Sequence, residues 1–90
     1  MNIITTKVFD SELNSIFEYI SKDSIKRAKK FEENLFLILS ELTTMSYKYK
    51  QSEYHNSKEV RQLTFKGYSI IYLIKSKNII LLHIFKYINF

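Results

Sequence analysis

An α+β fold in the order β-α-α-β-β-β is predicted for this chain, with two helices packed on one face of an antiparallel sheet. Three observations predict it. Apolar residues between Leu13 and Leu42 recur at helical spacing, and from Lys58 onward nearly everything reads as β-branched and aromatic runs. The one glycine of a proline-free chain, Gly67, lies between two of those runs. Ninety residues make one domain, 1–90, and a hydrophobic share of 46% with seven Phe and seven Tyr suffices for one core.

The elements follow in order. Residues 2–9, NIITTKVF, are short and β-branched and read as a first strand. Asp10 is placed to cap a helix in which Leu13, Ile16, Phe17 and Ile20 form one apolar stripe. Ser21 to Asp23 interrupt that stripe, and Asp23 or Ser24 can cap again. A second helix then carries Ala28, Phe31, Leu35, Ile38, Leu39 and Leu42 on one side. Lys26, Arg27, Lys29 and Lys30 lie elsewhere around its first turns, with Glu33 placed to meet Lys29 or Lys30. That cluster reads first as a solvated face. Residues 43–57, TTMSYKYKQSEYHNS, show no period and are long for a connector in so small a domain. Three strands close the sequence: KEVRQLTF, GYSIIYLIK and NIILLHIFKYINF.

The charge is uneven. Residues 1–42 hold six Lys/Arg against seven Asp/Glu, a balance of −1, and residues 43–90 hold eight against Glu53 and Glu59, a balance of +6. The second half should attract something anionic, a nucleic acid or an acidic protein segment, or else simply keep the surface solvated. The chain has no cysteine, so disulfides and thiolate metal sites are excluded. The two histidines stand 28 positions apart with no carboxylates at ligand spacing, so no metal site is expected, and a single glycine cannot build a phosphate-cradling loop. The N-terminal residues lack a signal pattern and no apolar run approaches a membrane span, which predicts a soluble, cytoplasmic protein without a cofactor.

Lys66-Gly67 predicts a two-residue hairpin turn, because glycine tolerates the positive φ such turns need. Alternation then assigns faces. Phe65 pairs with Tyr68, Leu63 with Ile70 and Arg61 with Tyr72. Ser76-Lys77-Asn78 can make the next turn, and reading it as a two-residue turn adds Ile79, Leu81, His83, Phe85 and Tyr87 to this aromatic face, which the helices should cover; a different loop length would swap the parity of the last strand. The other face carries Val60, Gln62, Thr64, Ser69, Ile71, Leu73, Ile80, Leu82 and Ile84. Two helices cover one face, so this second apolar face is left open, and a partner should lie along it. The competing reading is that the 43–57 segment, with Tyr47, Tyr49 and Tyr54, folds back over it.

The stretch VRQLTFKGYSIIYLIKSKNIILLHIFK resembles the RelE/ParE toxins of bacterial type II toxin–antitoxin pairs. It shows an Arg-x-Leu strand, a Gly-Tyr-x-apolar-apolar-Tyr strand, and an apolar strand ending in phenylalanine and a basic residue. The helical run SIKRAKKFEENLFLILSEL fits the same family. Nearly the whole chain is covered, although the motifs carry the fold more than an activity. Two departures stand out. MSYKYKQ lacks the proline and glycine that many relatives have after the second helix. Ser69 stands where relatives carry an arginine after Gly-Tyr, a catalytic group in the ribosome-dependent ribonuclease branch. A serine supplies no fixed positive charge to a phosphate in transition.

The resemblance implies a toxin neutralised by a cognate antitoxin. Ser69 and the apolar face favour the ParE branch, which blocks DNA gyrase by binding. The alternatives are a ribosome-dependent mRNA endonuclease using Arg61, His83, Lys86 and Tyr87, or a degenerate toxin that only binds antitoxin. RNA cleavage needs a base, an acid and positive charge at the phosphate. Lys86 and Tyr87 match the terminal basic and aromatic residues of ribonuclease relatives. His83 reads first as a core histidine, Arg61 as a strand-end cation paired with Glu59 or solvent, and Glu53 and His55 as loop residues. Tyr47-Lys48-Tyr49-Lys50 can stack on single-stranded bases or simply pack. An acidic antitoxin segment is expected over Ser69, Ile71, Leu73, Leu82 and Ile84, its carboxylates meeting Lys58, Lys66, Lys75 and Lys86. Sequence-specific DNA binding by this chain alone is not expected.

Overall fold

A computed structural model describes residues 1–86. The elements are β1 (Asn2–Thr5), α1 (Lys7–Asp23), α2 (Ile25–Glu41), β2 (Val60–Phe65), β3 (Tyr68–Lys75) and β4 (Asn78–Lys86). The sheet order is β1-β4-β3-β2. β2, β3 and β4 form an antiparallel meander, and β1 joins β4 in parallel, so the four-stranded sheet is mixed.

The first strand is shorter than NIITTKVF because Thr6 starts the helix. Its Oγ1 accepts the Phe9 N–H at 3.1 Å and donates to the Leu81 carbonyl at 2.9 Å. One hydroxyl thus caps α1 and ties it to β4. Asp10, expected as the cap, lies in the first turn and accepts from Thr5 Oγ1 at 3.1 Å, where an acid suits the positive end of the helix dipole. Ser24 alone separates the helices: its N–H bonds the Ile20 carbonyl, and its Oγ caps α2 through the Arg27 N–H.

The helices cover the aromatic face as expected. Phe9, Phe31, Leu35, Leu39 and Leu42 pack on Leu63, Phe65, Ile70, Tyr72, Ile74, Ile79 and Leu81. Phe31 is the wedge, with its ring centroid 5.3 Å from that of Phe65 and 5.5 Å from that of Tyr68.

Both hairpin turns have two residues, and all four central φ angles are positive: Lys66 at 48°, Gly67 at 85°, Ser76 at 51° and Lys77 at 65°. These are the angles of type I′ turns, whose twist matches the strands. Only one of the four residues is glycine. Replacing Ser76-Lys77 with Asn-Gly should therefore relieve left-handed strain worth about 1 kcal/mol and raise Tm by a few degrees, read by a thermal melt.

The β2–β3 register is the one predicted, with Phe65 opposite Tyr68 and Arg61 opposite Tyr72. The first half of β4 is also as predicted, with Ile80 opposite Leu73 and Leu81 opposite Tyr72. The second half is inverted. His83, not Leu82, lies opposite Ile71, so Leu82 is an extra residue and a β-bulge. Beyond it Ile84 pairs with Ile70 and enters the core at 1% exposure, while His83 and Phe85 pair with Ile71 and Ser69 on the second face. The faces expected for Ile84, His83 and Phe85 are thereby corrected. One inserted residue moves every later side chain to the other side.

Candidate functional site

The second face is only partly open. Residues 50–52 run along the outer edge of β2: the Ser52 N–H donates to the Val60 carbonyl at 2.8 Å and the Gln62 N–H to the Lys50 carbonyl at 3.1 Å. The chain then turns over the sheet. The Glu53 N–H donates to Gln62 Oε1 at 2.8 Å, and the Tyr54 ring meets Phe85 edge-on with centroids 5.5 Å apart. The fold-back reading holds for this half, carried chiefly by Ser52 to Tyr54. Tyr47 and Tyr49 serve elsewhere.

The covered residues include several expected to be exposed. Ser69 lies between Thr64 and Phe85 with no exposure, and Ile71 is 1% exposed. In the chain by itself, Ser69, Ile71 and Ile84 are closed to a partner. Ser69 Oγ and Gln62 Nε2 are buried without a hydrogen-bond partner. A serine in so dry a place cannot offer its hydroxyl to a phosphate.

The half of this face nearest β1 stays open. Ile4 pairs with Ile80 and Ile80 with Leu73, which makes an apolar row across three strands, with Leu82 close behind. Ile4 is 44% exposed, and Ile80, Leu73 and Leu82 are half-buried. Ile3 turns the other way and packs on the core. Lys75 ends β3 beside this row, whereas Lys66 lies at the opposite end of the same strand. Ile4 was not anticipated in this role, because NIITTKVF alternates too weakly to reveal which side it shows.

The residues considered for catalysis are held in separate structural roles. Arg61 is not paired with Glu59. Its Nε donates to the Lys58 carbonyl at 2.9 Å, one terminal nitrogen donates to the Tyr49 carbonyl at 3.1 Å, and its guanidinium lies 4.8 Å from the Tyr47 ring centroid. It fastens the long connector to the sheet. The Tyr47 hydroxyl donates to Glu59 at 2.6 Å, and that bond holds the phenol above its ordinary pKa. His83 Nδ1 lies 3.2 Å from Glu12 Oε1, and the same oxygen accepts the Ile84 N–H at 3.2 Å. Glu12 thus blunts the part of the β4 edge that β1 leaves uncovered. It was missed because no local spacing links residue 12 to residue 84. Lys86 is exposed opposite Tyr68, and Tyr87 lies outside the described residues. Glu53 pairs with Lys50, and His55 Nδ1 stands 3.3 Å from Ser52 Oγ. Arg61 and His83 are on non-adjacent strands with β3 between them, so the described members of the set do not converge on one phosphate.

Tyr72 is the buried polar anchor of the core. Its hydroxyl donates to the Ser46 carbonyl at 2.8 Å, and burial pushes its pKa up to about 12. A phenol raised in the folded state contributes stability that is intact below its unfolded value near 10 and is lost as pH rises through about 12. Alkaline titration followed by circular dichroism should show stability falling in that window. Tyr72→Phe should be less stable by about 1 kcal/mol at neutral pH, having left the Ser46 carbonyl unpaired, and should flatten the alkaline decline.

The family model described as ParE toxin of type II toxin–antitoxin system, parDE, matches residues 3–86. Among solved structures, one described as the chromosomal ParDE TA system from P. aeruginosa superposes with a TM-score of 0.78. It is 20% identical in sequence, and the match covers 98% of this chain and 97% of that one, so the likeness is one of fold. No curated protein matches this sequence significantly.

Proposed function

The chain belongs to the ParE family of toxins of type II toxin–antitoxin systems, and from that premise we propose that it arrests growth by binding DNA gyrase and that a cognate antitoxin neutralises it. The observation that carries this reading is the state of Ser69. The position where ribonuclease relatives carry an arginine holds a wholly buried serine under the Ser52–Tyr54 segment. Arg61 and His83 are each committed to other partners. Binding therefore fits this surface better than phosphodiester chemistry.

The antitoxin contact is placed on the row Ile4, Ile80 and Leu73, extended by Leu82 and flanked by Lys75. A carboxylate-rich segment suits it, with apolar side chains on the row and acids toward the lysine. Its affinity should fall with salt and keep an apolar remainder. Ser69, Ile71 and Ile84, expected in the contact from sequence, would enter it only if the covering segment moved.

The test is a paired assay of purified protein, scoring gyrase-driven supercoiling in one arm and mRNA cleavage on translating ribosomes in the other. Loss of supercoiling with intact mRNA is the expected result. Discrete mRNA cuts with unimpaired supercoiling would overturn the proposal in favour of the endonuclease. Silence in both arms would leave a toxin fold that binds antitoxin and inhibits neither machine.

A further inference from the structure

On the helix side of the sheet, remote from the apolar row, the end of α1, the start of α2 and the β2–β3 turn meet around an open cleft of about 730 Å³. That volume lies within the range of small-ligand sites. Its walls gather Lys22, Arg27, Lys30 and Lys66 against a single acid, Asp23. Asp23 is already ion-paired with Arg27. Among the described residues, no ion pair or hydrogen bond engages Lys22, Lys30 or Lys66, and Lys66 only overhangs the Phe65 ring at 5.8 Å. Three uncompensated cations, two from the α1–α2 junction and one from the distant β2–β3 turn, repel one another, and an anion placed among them removes that repulsion.

Aromatic rings stand beside the charges. Tyr19 is 68% exposed, so its ring face is not used by the core. Tyr68 is held edge-on to Phe31 with centroids 5.5 Å apart. An acidic peptide would satisfy the lysines and leave Tyr19 in water. A strand of phosphodiesters and bases uses both, because phosphates take the ammonium groups and a base takes the ring face.

We propose that this cleft binds single-stranded nucleic acid, its phosphates held by Lys22, Lys30 and Lys66 and a base stacked on Tyr19. Three phosphate contacts give a slope of about −2 in log affinity against log salt, since each contact on a single strand contributes about 0.7. Recognition of this kind reads backbone and ring faces and tolerates many sequences.

The experiment is a fluorescence-anisotropy titration of the full chain with labelled ten-nucleotide oligo-dT and oligo-U at several salt concentrations, with decaglutamate as competitor. Saturable binding of either oligonucleotide with that slope is expected. The two probes separate DNA from RNA as the preferred strand. Lys22→Ala/Lys30→Ala/Lys66→Ala should weaken binding more than tenfold and bring the slope toward zero. Tyr19→Ala should weaken it about tenfold with the slope unchanged. Lys26→Ala/Lys29→Ala removes two charges from the same helix outside the cleft and should have little effect. All of these side chains are exposed, so melts by circular dichroism should confirm that each variant folds. Three results would overturn the proposal: no saturable binding at 50 mM salt, on the order of the low-salt limit used for such contacts; equal losses in the Lys26/Lys29 control; or decaglutamate competing as well as the oligonucleotides while Tyr19→Ala is neutral. The last outcome would assign the cleft to an acidic peptide.

Discussion

Ile84→Asp should abolish cooperative folding. The side chain is 1% exposed within the cluster formed by both helices and the sheet. A carboxylate placed there is either ionised without a partner or protonated at the expense of its ordinary pKa, and it also removes an isoleucine's packing. Losses of this kind exceed about 4 kcal/mol, a large part of the 5–15 kcal/mol that holds a small domain together. Leu82→Asp supplies the contrast. Leu82 is the unopposed residue of the bulge and half-buried, so its aspartate variant should keep a cooperative melt. In an unbulged strand the outcomes would differ, because Ile84 would share the second face with Leu82. A folded Ile84→Asp protein with a near-native Tm would show that β4 runs without the bulge.

Leu73→Asp should leave the fold in place and abolish antitoxin binding. Leu73 is half-buried at the β3 end of the row that runs from Ile4 through Ile80, so a carboxylate there reaches water when the chain is free. In a complex the same carboxylate is stripped of water beneath an apolar surface, beside acids of the partner. Buried apolar contacts dominate such interfaces, and an unpaired charge buried among them costs about 3 kcal/mol, about a hundredfold in Kd. Calorimetric titration against the cognate antitoxin would measure this. Lys75→Ala should weaken binding only severalfold, and less at high salt. If the Leu73→Asp protein bound antitoxin as tightly as the original, the interface would lie elsewhere on the molecule.

Much of the fold was legible because local signals agreed with global packing. The helical stripes, the Ser24 cap and the Lys66-Gly67 turn each follow from short spacings. The turn fixed the β2–β3 register residue by residue. The second half of β4 was not legible, because NIILLHIF alternates nowhere: from Ile79 to Phe85 every residue but His83 is apolar, so neither parity is penalised locally. The bulge is decided by what α1 and the free edge present, including Glu12 on the Ile84 N–H. The start of the first helix was misplaced for a similar reason. Val8 and Phe9 look like strand residues until Thr6 finds Leu81, 75 residues away. The site was less legible than the fold. Whether the second face was open depended on 15 residues without a period, and their path is set by single bonds to Gln62, Val60 and Tyr72.

The parallel pairing of β1 with β4 also bears on when the molecule takes shape during synthesis. Asn2 to Thr5 are made before the rest of the sheet, yet among the described residues their strand neighbours are Asn78 to Leu81, more than 70 positions later. A nascent chain can form the helical pair early, but it has no sheet on which to bury Phe9, Phe31 and Leu35 until the meander has emerged. Completion of this sheet is a late, long-range event. The surface that the sheet presents is therefore assembled almost at once, only after β4 has been made.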